Sequence, residues 1–510
     1  MSDSTIPTPE QLRRDVNEFL KQKYGDRVVV PPEPDINDEN PPDQGEKKPP
    51  SHPVHFNLKP SELESYLRQY VVGQDEAIEV LATKICTHFN RMRLEIRPDG
   101  AGELVGNIKS NVLMIGPTGV GKTYLVKLIA RKIGVPFVKG DATKFSETGY
   151  VGGDVEDLVR ELVREADGDI KLAEYGIIYL DEIDKIASSG NVIGPDVSRS
   201  GVQRNLLKLM EESEVDLKTP HDLGAQMEAA MEAQRTGKVT RKKINTRNIL
   251  FVMSGAFAAL PDMIRRRLNQ QPIGFRGTAE QDSAEDADVE ILHQMRSEDL
   301  IRFGFESEFV GRLPVMVALN DLDVEGLFRI LQNPNSTVIQ GKKRDFKAYD
   351  IELEFEEQAL RRIAELAAQE HTGARGLVSV VDRLLLKFEK SLPDTSMTHL
   401  KVTAALVDDP QGELDRLLTL HYLKAFQKRF LASNGIVITF SGEALELLRQ
   451  KAAESGKNLE EVCSDLLRDY EYGLRLLGCE NFTVDADIVR DPKSRLEEMI
   501  KQSYGKSHQA

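Results

Sequence analysis

Cysteine is scarce in this sequence, which has three in 510 residues. Cys86, Cys463 and Cys479 lie far apart and form no CxxC pair. The scarcity excludes a disulfide framework and argues against a zinc site built from cysteines, so we expect no zinc. A reducing compartment suits such a chain, and the sequence predicts the cytoplasm.

Long apolar runs are lacking as well. No stretch approaches the roughly 20 apolar residues that span a bilayer. The first residues, MSDSTIPTPEQ, have neither the basic nor the apolar region of a signal peptide. We therefore expect neither a membrane partner nor a secretory leader.

Positive charge is in deficit, since 67 lysines and arginines stand against 83 aspartates and glutamates, a net charge of −16. A protein that holds nucleic acid by releasing counterions needs the opposite balance. The excess of acid argues against a nucleic-acid partner and is typical of a soluble protein.

The apolar fraction, 40 %, is enough to build the cores of about three domains of about 150 residues. Residues 12–20 carry an apolar stripe at helical spacing. Residues 31–53 are rich in proline and charge, a composition that predicts an extended linker. A folded block is expected to begin near residue 57.

From residue 57 to about 317, short β-rich runs alternate with helical stretches. The buried-strand candidates are NVLMIG (111–116), VPFVKG (135–140), GIIYLDE (176–182) and NILFVMSGAF (248–257). Apolar runs without polar alternation are typical of a parallel sheet with helices on both faces, so the pattern predicts an α/β fold. The polar stretches 213–246 and 276–292 are predicted surface insertions.

The C-terminal third contains an internal repeat. Residues 351–368 align with 436–453 at an offset of 85, and 400–418 align with 482–500 at an offset of 82. Two copies are too few for a solenoid, so the repeat predicts a small strand–helices–strand unit that occurs twice.

The strongest chemical signal is GPTGVGKT, which follows the apolar strand NVLMI and opens a helix. Glycines let backbone N–H groups close around phosphates at a helix N-terminus. Lys122 is expected to reach the β- and γ-phosphates, and the Thr123 hydroxyl to bind Mg²⁺. The predicted nucleotide-binding residues here are Gly116, Pro117, Thr118, Gly119, Val120, Gly121, Lys122, Thr123 and Tyr124. The motif predicts that the chain binds ATP with Mg²⁺.

A second motif, IIYLDEID, ends a buried strand in two carboxylates. Asp181 and Glu182 are expected at the carboxyl edge of the sheet, beside the phosphate loop. Asp181 suits the metal shell, directly or through water, and Glu182 suits the polarisation of an attacking water. Together the two motifs predict an ATPase.

Residues 57–410 resemble the ATPase core of the ClpX-type unfoldases, members of the AAA+ class. The likeness is most specific in DATKFSETGYVGGDVEDLVREL, IIYLDEIDKI, ILFVMSGAF, EFVGRLPV and TGARGL, and HslU-type unfoldases share several of these segments. The resemblance and the repeat predict a short helix and linker at 1–56, an AAA+ P-loop ATPase large domain with a parallel sheet at 57–317, a small α/β lid domain at 318–410, and a degenerate second copy of the lid at 411–510.

The resemblance implies a loop that grips substrate. Gly149, Tyr150, Val151 and Gly152 match the loop that lines the axial pore of the family's ring. A tyrosine between glycines can grip an extended chain by steric and apolar contact without reading its sequence. A buried tyrosine in an ordinary loop is the alternative.

Further roles come from the same resemblance. Arg312 matches the arginine finger that acts on a neighbouring subunit's γ-phosphate, and Arg375 matches the sensor arginine of the lid. A surface ion pair is the alternative for each arginine. Val71 and Val72 match the segment that packs on adenine, with plain core packing as the alternative. Ser254 falls where a polar sensor on the fourth strand is expected.

Ile273, Gly274 and Phe275 match the loop by which ClpX-type proteins dock on the ring peptidase ClpP. Polar segments flank the two large apolar residues, which is typical of an exposed docking tip. A small buried turn is the alternative. The implied partner is a ClpP-like peptidase.

Three features depart from the family. No cysteine precedes Cys86, so the family's N-terminal zinc domain is expected to be absent, with the stripe at 12–20 either a substitute docking helix or a weakly ordered tail. Residues 214–246 lack the family's Arg-Lys-His tripeptide, so tag preference does not carry over. The second lid copy reads Asn-Leu-Glu at 458–460 where the first reads Gly-Ala-Arg at 373–375, and no phosphate loop precedes it. It is expected to be an accessory domain for substrates, adaptors or ring contacts, or a structural extension.

The sequence therefore predicts a ring, expected to be a homo-hexamer, in which ATP hydrolysis moves Tyr150 along the pore. A protein substrate would be unfolded and threaded into the bound peptidase. No protease constellation accompanies the motifs, so the chain itself is expected to lack protease activity. One alternative is a stand-alone chaperone that remodels complexes without a peptidase. The other is a nucleotide-gated module acting on nucleic acid, which the acidic balance and the GYVG loop disfavour.

Overall fold

The computed structural model describes residues 56–95, 109–146, 153–188, 197–217, 242–269 and 290–507. The predicted N-terminal stripe and linker, the pore loop and the peptidase-docking loop lie outside these ranges. All the described residues belong to one unit of the chain, Pro53–Ala510. None of the described helices is long and apolar enough to cross a bilayer.

Helices and strands alternate up to residue 318. In chain order they are α1 (Pro60–Arg68), α2 (Asp75–Glu95), β1 (Val112–Ile115), α3 (Lys122–Ile133), β2 (Phe137–Asp141), α4 (Glu156–Glu165), α5 (Ile170–Ala173), β3 (Ile177–Asp181), α6 (Val197–Met210), β4 (Glu214–Asp216), β5 (Lys243–Asn245), β6 (Leu250–Gly255), α7 (Leu260–Asn269), α8 (Ser297–Phe303), α9 (Ser307–Gly311) and β7 (Val315–Ala318). Short 3₁₀ turns follow β2 and β3, at Ala142–Lys144 and Ile183–Ile186.

The remainder of the chain is mostly helical. Its elements are α10 (Val324–Gln332), α11 (Thr337–Lys347), β8 (Glu352–Phe355), α12 (Glu357–Ala368), α13 (Ala374–Ser391), β9 (His399–Val402), α14 (Ala404–Asp408), α15 (Pro410–Asn434), β10 (Val437–Phe440), α16 (Gly442–Ser455), α17 (Leu459–Leu467), α18 (Tyr470–Leu476), β11 (Asn481–Val484), α19 (Ala486–Arg490) and α20 (Pro492–Ser507). Below, the lid means α10 to α14 with β8 and β9, and the second copy means β10 to α20.

Five parallel strands form the central sheet, in the order β2-β3-β6-β1-β7. Three of them lie within the predicted apolar runs, and β2 extends one residue beyond its run, to Asp141. The fifth strand, β7, was not predicted. Like β1 it has only four residues, too few for periodicity to distinguish a strand from a helix, and no phosphate loop follows it to mark it as a strand. Since the strands are parallel, all their carboxyl ends meet at one edge, where such sheets bind ligands.

Both faces of the sheet are buried, as the all-apolar strands predict. All four residues of β1 are buried. Because successive side chains alternate in direction, Val112 and Met114 join an apolar cluster with α2 and α3, whereas Leu113 and Ile115 join a second cluster with α4 and α6. The predicted α/β fold with a parallel, doubly covered sheet is therefore confirmed.

The helix after the phosphate loop has a glycine at each end. Gly121 precedes α3 with φ +97°, and Gly134 ends it with φ +80°. Only glycine adopts this left-handed region without strain, so the two residues set where α3 begins and ends. Leu125, Val126 and Ile129 bury the inner face of α3 against the sheet.

The predicted polar insertion at 213–246 begins and ends in an antiparallel pair, β4 with β5. Glu214 pairs with Asn245 and Asp216 with Lys243. The stretch between these strands, 218–241, lies outside the described residues.

The lid and the second copy have the same pattern of strand pairing. Glu352 of β8 pairs with His399 of β9 in parallel, and Val437 of β10 pairs with Asn481 of β11 in parallel. Equivalent positions are therefore 85 and 82 residues apart, as in the sequence repeat. The small α/β unit is duplicated.

A single helix, α15, joins the two copies. Leu414, in its first half, is buried in the apolar cluster that runs from the sheet into the lid. Leu423, Phe426 and Phe430, in its second half, are buried in a separate cluster with β10 and β11. The second copy thus has its own core but shares a helix with the lid.

Candidate functional site

A cavity of about 450 Å³ lies where the carboxyl edge of the sheet meets the lid. Its lining residues before the lid include Tyr70, Val71, Val72, Thr118, Gly119, Val120, Gly121, Lys122, Thr123, Tyr124, Asp181 and Glu182. From the lid it is lined by residues that include Ile330, Asn333, Asn335, Val338, Ala374 and Arg375. The volume is typical of a small-molecule or cofactor site.

Lys122, in the phosphate loop, is buried, with only 9 % of the residue exposed. It donates hydrogen bonds to the carbonyl oxygens of Gly116, at 2.6 Å, and Pro117, at 2.7 Å. Burial lowers the pKa of Lys122, and the charges of Asp181 and Asp184 oppose that shift. Among the described residues, no carboxylate lies within ion-pair distance of Lys122. A buried cation without an anionic partner suits an arriving phosphate.

Asp181 ends β3 with both carboxylate oxygens engaged. Oδ1 accepts hydrogen bonds from the Ser254 hydroxyl, at 2.8 Å, and the Glu182 N–H, at 3.1 Å. Oδ2 lies 3.2 Å from Nζ of Lys139. Burial raises the pKa of Asp181, but the Ser254 hydrogen bond and Lys139 together lower it below the usual value. The carboxylate is therefore held ionised.

Tyr179 links the two motifs through its hydroxyl. The oxygen lies 2.6 Å from Oγ of Ser254 and 3.1 Å from Oγ1 of Thr123, and the side chain is fully buried. Burial raises the pKa of Tyr179 to about 12, so the hydroxyl keeps its proton.

The direction of this hydrogen-bond chain follows from its end. An ionised Asp181 can only accept, so Ser254 donates to it. Ser254 must then accept from Tyr179, and Tyr179 from Thr123. The Thr123 hydroxyl donates its proton away from the cavity, which leaves its lone pairs free.

Those lone pairs and the Asp181 carboxylate fit Mg²⁺, which prefers hard oxygen ligands and usually keeps ligand positions for water and phosphate. Within the described residues, no cluster of three or more His, Cys, Asp and Glu side chains could hold a metal by itself. A cation here would therefore depend on oxygen atoms of a bound phosphate.

Glu182 follows β3 in the left-handed region, with φ +57°. A non-glycine residue there is strained, and such strain concentrates at functional sites. The side chain is exposed and lines the cavity. A strained, accessible carboxylate next to Asp181 is where a water could be polarised.

The lid touches the phosphate loop directly. The Ala374 N–H donates to the Gly119 carbonyl at 3.0 Å. Gly119 has φ +85°, and a Cβ there would lie 2.0 Å from the Thr372 carbonyl oxygen, so only glycine permits this contact. Arg375 follows immediately at the cavity wall. A movement of the phosphate loop would therefore displace the start of α13 in the lid.

Apolar side chains from both parts of the chain line the cavity. Val71 and Val72 come from the segment after α1, and Ile330 and Val338 come from the lid. The side-chain amides of Asn333 and Asn335 donate to the Gln69 carbonyl, at 2.8 and 3.2 Å. These hydrogen bonds connect the segment before Val71 to the lid. The apolar lining residues are suited to contact with a flat, apolar base.

Arg312 is not among the described residues that line the cavity. Its Nη2 lies 2.6 Å from Oε1 of Glu211, and both side chains are about half exposed. The structure therefore brings Arg375, but not Arg312, to the cavity of the same chain. The pore loop and the docking loop lie outside the described residues.

Sequence reasoning missed Tyr179 and Lys139. Tyr179 precedes Asp181 by two residues in a strand, and this spacing places both on one face, so the signal was present. Lys139 lies on β2 and becomes adjacent only through the pairing of β2 with β3. No local pattern in the sequence marks it.

Family models match two parts of the chain. Residues 107–316 match the AAA domain (Cdc48 subfamily), and residues 322–389 match the C-terminal, D2-small domain, of ClpB protein. The first covers the phosphate loop and the central sheet, and the second covers most of the lid.

Curated relatives agree with these matches. The ATP-dependent Clp protease ATP-binding subunit ClpX of Treponema denticola is 42 % identical over 329 residues, 64 % of this chain and 75 % of that protein. The ATP-dependent Clp protease ATP-binding subunit ClpX 3 of Methylococcus capsulatus is 39 % identical over 355 residues, 67 % of this chain and 79 % of that protein. Borrelia duttonii ClpX is 40 % identical over 338 residues, 66 % of this chain and 75 % of that protein. The chain therefore belongs to the ClpX family of AAA+ proteins.

Proposed function

We propose that this chain is an ATP-dependent protein unfoldase and translocase that threads substrates into a ClpP-like peptidase. The observation that carries the proposal is the cavity at the edge of the sheet. It combines the phosphate loop, the Asp181–Glu182 pair and Arg375 of the lid around a space of nucleotide size.

ATP would bind with its phosphates on the loop and its base against the apolar lining residues. Lys122 would leave the carbonyl oxygens of Gly116 and Pro117 for the β- and γ-phosphates, with the loop N–H groups at the start of α3. Val71 and Val72 would pack on adenine from one side and the lid from the other.

Glu182 would orient and polarise the water that attacks the γ-phosphate. Thr123 and Asp181 would hold Mg²⁺, which when bound neutralises charge on the phosphates. The hydrogen bonds of Tyr179 and Ser254 would orient Thr123 and Asp181 relative to each other. Arg375 would stabilise the same charge from the lid, and Arg312 would do so for a neighbouring subunit in a homo-hexamer.

Hydrolysis would reach the substrate through the lid. The Ala374–Gly119 hydrogen bond and the close packing of the Thr372 carbonyl on Gly119 make the position of the lid sensitive to the loop. A lid displacement in one subunit would move the pore loop, with Tyr150 gripping the substrate chain by steric contact. This coupling needs no sequence preference in the substrate.

A peptidase partner is supported by the names of the relatives, which are subunits of a Clp protease. Ile273, Gly274 and Phe275 are the proposed docking residues, and the chain itself would cleave no peptide bond. Adaptors would join through surfaces outside the ATPase core.

The test is affinity capture from the native host with a Glu182→Gln chain held in ATP. A Phe275→Ala version of the same trap serves as the matched control. We expect a ClpP-like peptidase to be retained by the first trap and lost from the second, with substrates retained by both. Substrates without any peptidase in the first trap would overturn the docking proposal.

The alternative is a stand-alone ATP-driven remodeller of protein complexes. The second copy favours it, because an added folded unit with its own core gives a surface for substrates or adaptors. In that case the Phe275→Ala change would alter neither the captured proteins nor the remodelling activity.

A further inference from the structure

Lys139 pairs with the Asp181 carboxylate but belongs to neither nucleotide motif. It stands on β2, opposite Tyr179 of β3 in the parallel register. Its Nζ is 3.2 Å from Oδ2 of Asp181 and 5.9 Å from the centre of the Tyr179 ring. The pairing of two strands thus places a cation beside the carboxylate expected to serve Mg²⁺.

The two oxygens of Asp181 have different partners. Oδ1 accepts hydrogen bonds from two neutral donors, the Ser254 hydroxyl and the Glu182 N–H. Oδ2 forms an ion pair with the ammonium of Lys139. The Asp181 side chain is only 20 % exposed, so its negative charge needs a positive neighbour when no metal is present. Among the described residues, Lys139 is the cation within ion-pair distance.

The Lys139 ammonium can also move away from Asp181 into solvent. Its side chain is 45 % exposed, and a lysine has a long flexible stem with a strongly hydrated end. Moving the ammonium into water would free Oδ2 while the two donors keep Oδ1 in place. The carboxylate would then be oriented and uncompensated, which is the state that binds a divalent cation.

We propose that Lys139 compensates Asp181 while the site is empty and must be displaced before Mg²⁺ binds, so that it weakens metal affinity. The proposal rests on the nucleotide site described above. One cation replaces another at Oδ2, and the lysine sets the metal concentration at which the exchange occurs. Lys139 acts on the metal only through the charge of Asp181 and is not itself a metal ligand.

The experiment measures metal binding directly. Mn²⁺ is titrated into the full chain with a non-hydrolysable ATP analogue, and free Mn²⁺ is followed by electron paramagnetic resonance. Lys139→Met removes the charge and keeps the length, and Lys139→Gln is a second variant in case the first folds poorly. Lys144→Met is the matched control, because Lys144 is exposed in the turn after the same strand.

We expect both Lys139 variants to bind Mn²⁺ about two- to fivefold more tightly than the wild type, the range of a partly exposed ion pair. The control should match the wild type. Unchanged or weaker Mn²⁺ binding would overturn the proposal, and weaker binding would indicate that Lys139 contacts the phosphates instead.

A second readout needs neither metal nor nucleotide. Without Lys139, the charge of Asp181 is uncompensated, so the thermal unfolding midpoint of the empty protein should fall in Lys139→Met. In an Asp181→Asn background the same change should have little effect. Equal losses in both backgrounds would mean that Lys139 acts through packing alone, and the proposal would fail.

The outcomes also separate this proposal from the nucleotide site itself. If the wild type binds neither the analogue nor Mn²⁺ with it, both proposals fail. If the wild type binds both and the Lys139 variants bind equally well, only the role of Lys139 fails.

Discussion

Among single residues, Tyr179 connects the two nucleotide motifs. Its buried hydroxyl accepts a hydrogen bond from Thr123 of the phosphate loop, 56 residues earlier in the chain. The same hydroxyl donates a hydrogen bond to Ser254, so the hydroxyl of the loop and the carboxylate of β3 are held by one hydrogen-bond chain. A phenylalanine of the same shape would fill the core but leave Thr123 free to rotate.

Tyr179→Phe should therefore lower the free energy of unfolding by about 1 kcal/mol, the net value of a buried hydrogen bond. Binding of MgATP should weaken, because the Thr123 lone pairs lose their fixed direction. Urea unfolding and calorimetric titration measure the two effects. Tyr349→Phe, at a tyrosine that is 56 % exposed, is the control and should change neither. A Tyr179→Phe protein with wild-type values in both assays would contradict this role.

A second residue-scale feature is a buried neutral histidine. His88, on α2, is 7 % exposed, and its Nε2 lies 3.2 Å from the Asn248 carbonyl oxygen, to which it donates when neutral. Burial lowers the pKa of His88 to about 4, while the Asn248 hydrogen bond opposes the shift and the Lys109 charge adds to it.

In the unfolded chain this histidine titrates near 6.5. Between about pH 6.5 and pH 4 the unfolded state binds the extra proton, so stability is present above pH 6.5 and lost as the pH falls. We expect about 2 kcal/mol to be lost between pH 7.5 and pH 5 from this group. Urea unfolding at the two pH values should show a loss smaller by that amount in His88→Gln, which keeps a donor for Asn248. Equal losses would contradict the assignment.

At the element scale, the start of α13 rests on the phosphate loop. The contact depends on glycine at position 119, since a Cβ there would meet the Thr372 carbonyl oxygen at 2.0 Å. At Gly121, which also has a positive φ, nothing lies within 4 Å of such a Cβ. An alanine at either position would strain the backbone, but only an alanine at position 119 would also clash with the lid. Comparing the two substitutions therefore isolates the contribution of the lid contact.

Gly119→Ala should weaken ATP binding at least about tenfold more than Gly121→Ala. Both substitutions carry the backbone strain of a positive φ, about 1 kcal/mol, but only the first pushes the lid away. Calorimetric titration with a non-hydrolysable analogue gives the two dissociation constants. If Gly121→Ala is as damaging as Gly119→Ala, then the lid contact adds nothing to nucleotide binding.

At the scale of the whole molecule, two cores share the helix α15. One face of the sheet and the lid form a continuous apolar cluster that includes Phe388, which is fully buried on α13. The second copy has its own cluster, which includes Phe426, 2 % exposed on α15. Truncating either phenylalanine should cost about 3–5 kcal/mol, but in different parts of the chain.

Phe426→Ala should therefore lower the unfolding transition of the second copy and leave ATP affinity unchanged, whereas Phe388→Ala should weaken ATP binding. Differential scanning calorimetry with and without the nucleotide analogue measures this, because the ligand stabilises only the part that binds it. A loss of ATP affinity in Phe426→Ala would show instead that the second copy supports the nucleotide site. The domain boundaries at residues 317 and 410 stay predictions.

The family, the phosphate loop, the paired carboxylates, four of the five sheet strands and the duplication could all be predicted from the chain, because each depends on residues that are neighbours in the chain or recur at a fixed offset. Other features emerge only from the folded chain. β7 is as short as β1 and has no phosphate loop after it to mark it as a strand. Lys139 reaches Asp181 only when β2 pairs with β3, and Arg375 reaches the cavity only when the lid packs on the phosphate loop. Arg312 pairs with Glu211 instead of lining the same cavity. Those contacts join residues distant in the chain, and packing alone specifies such distances.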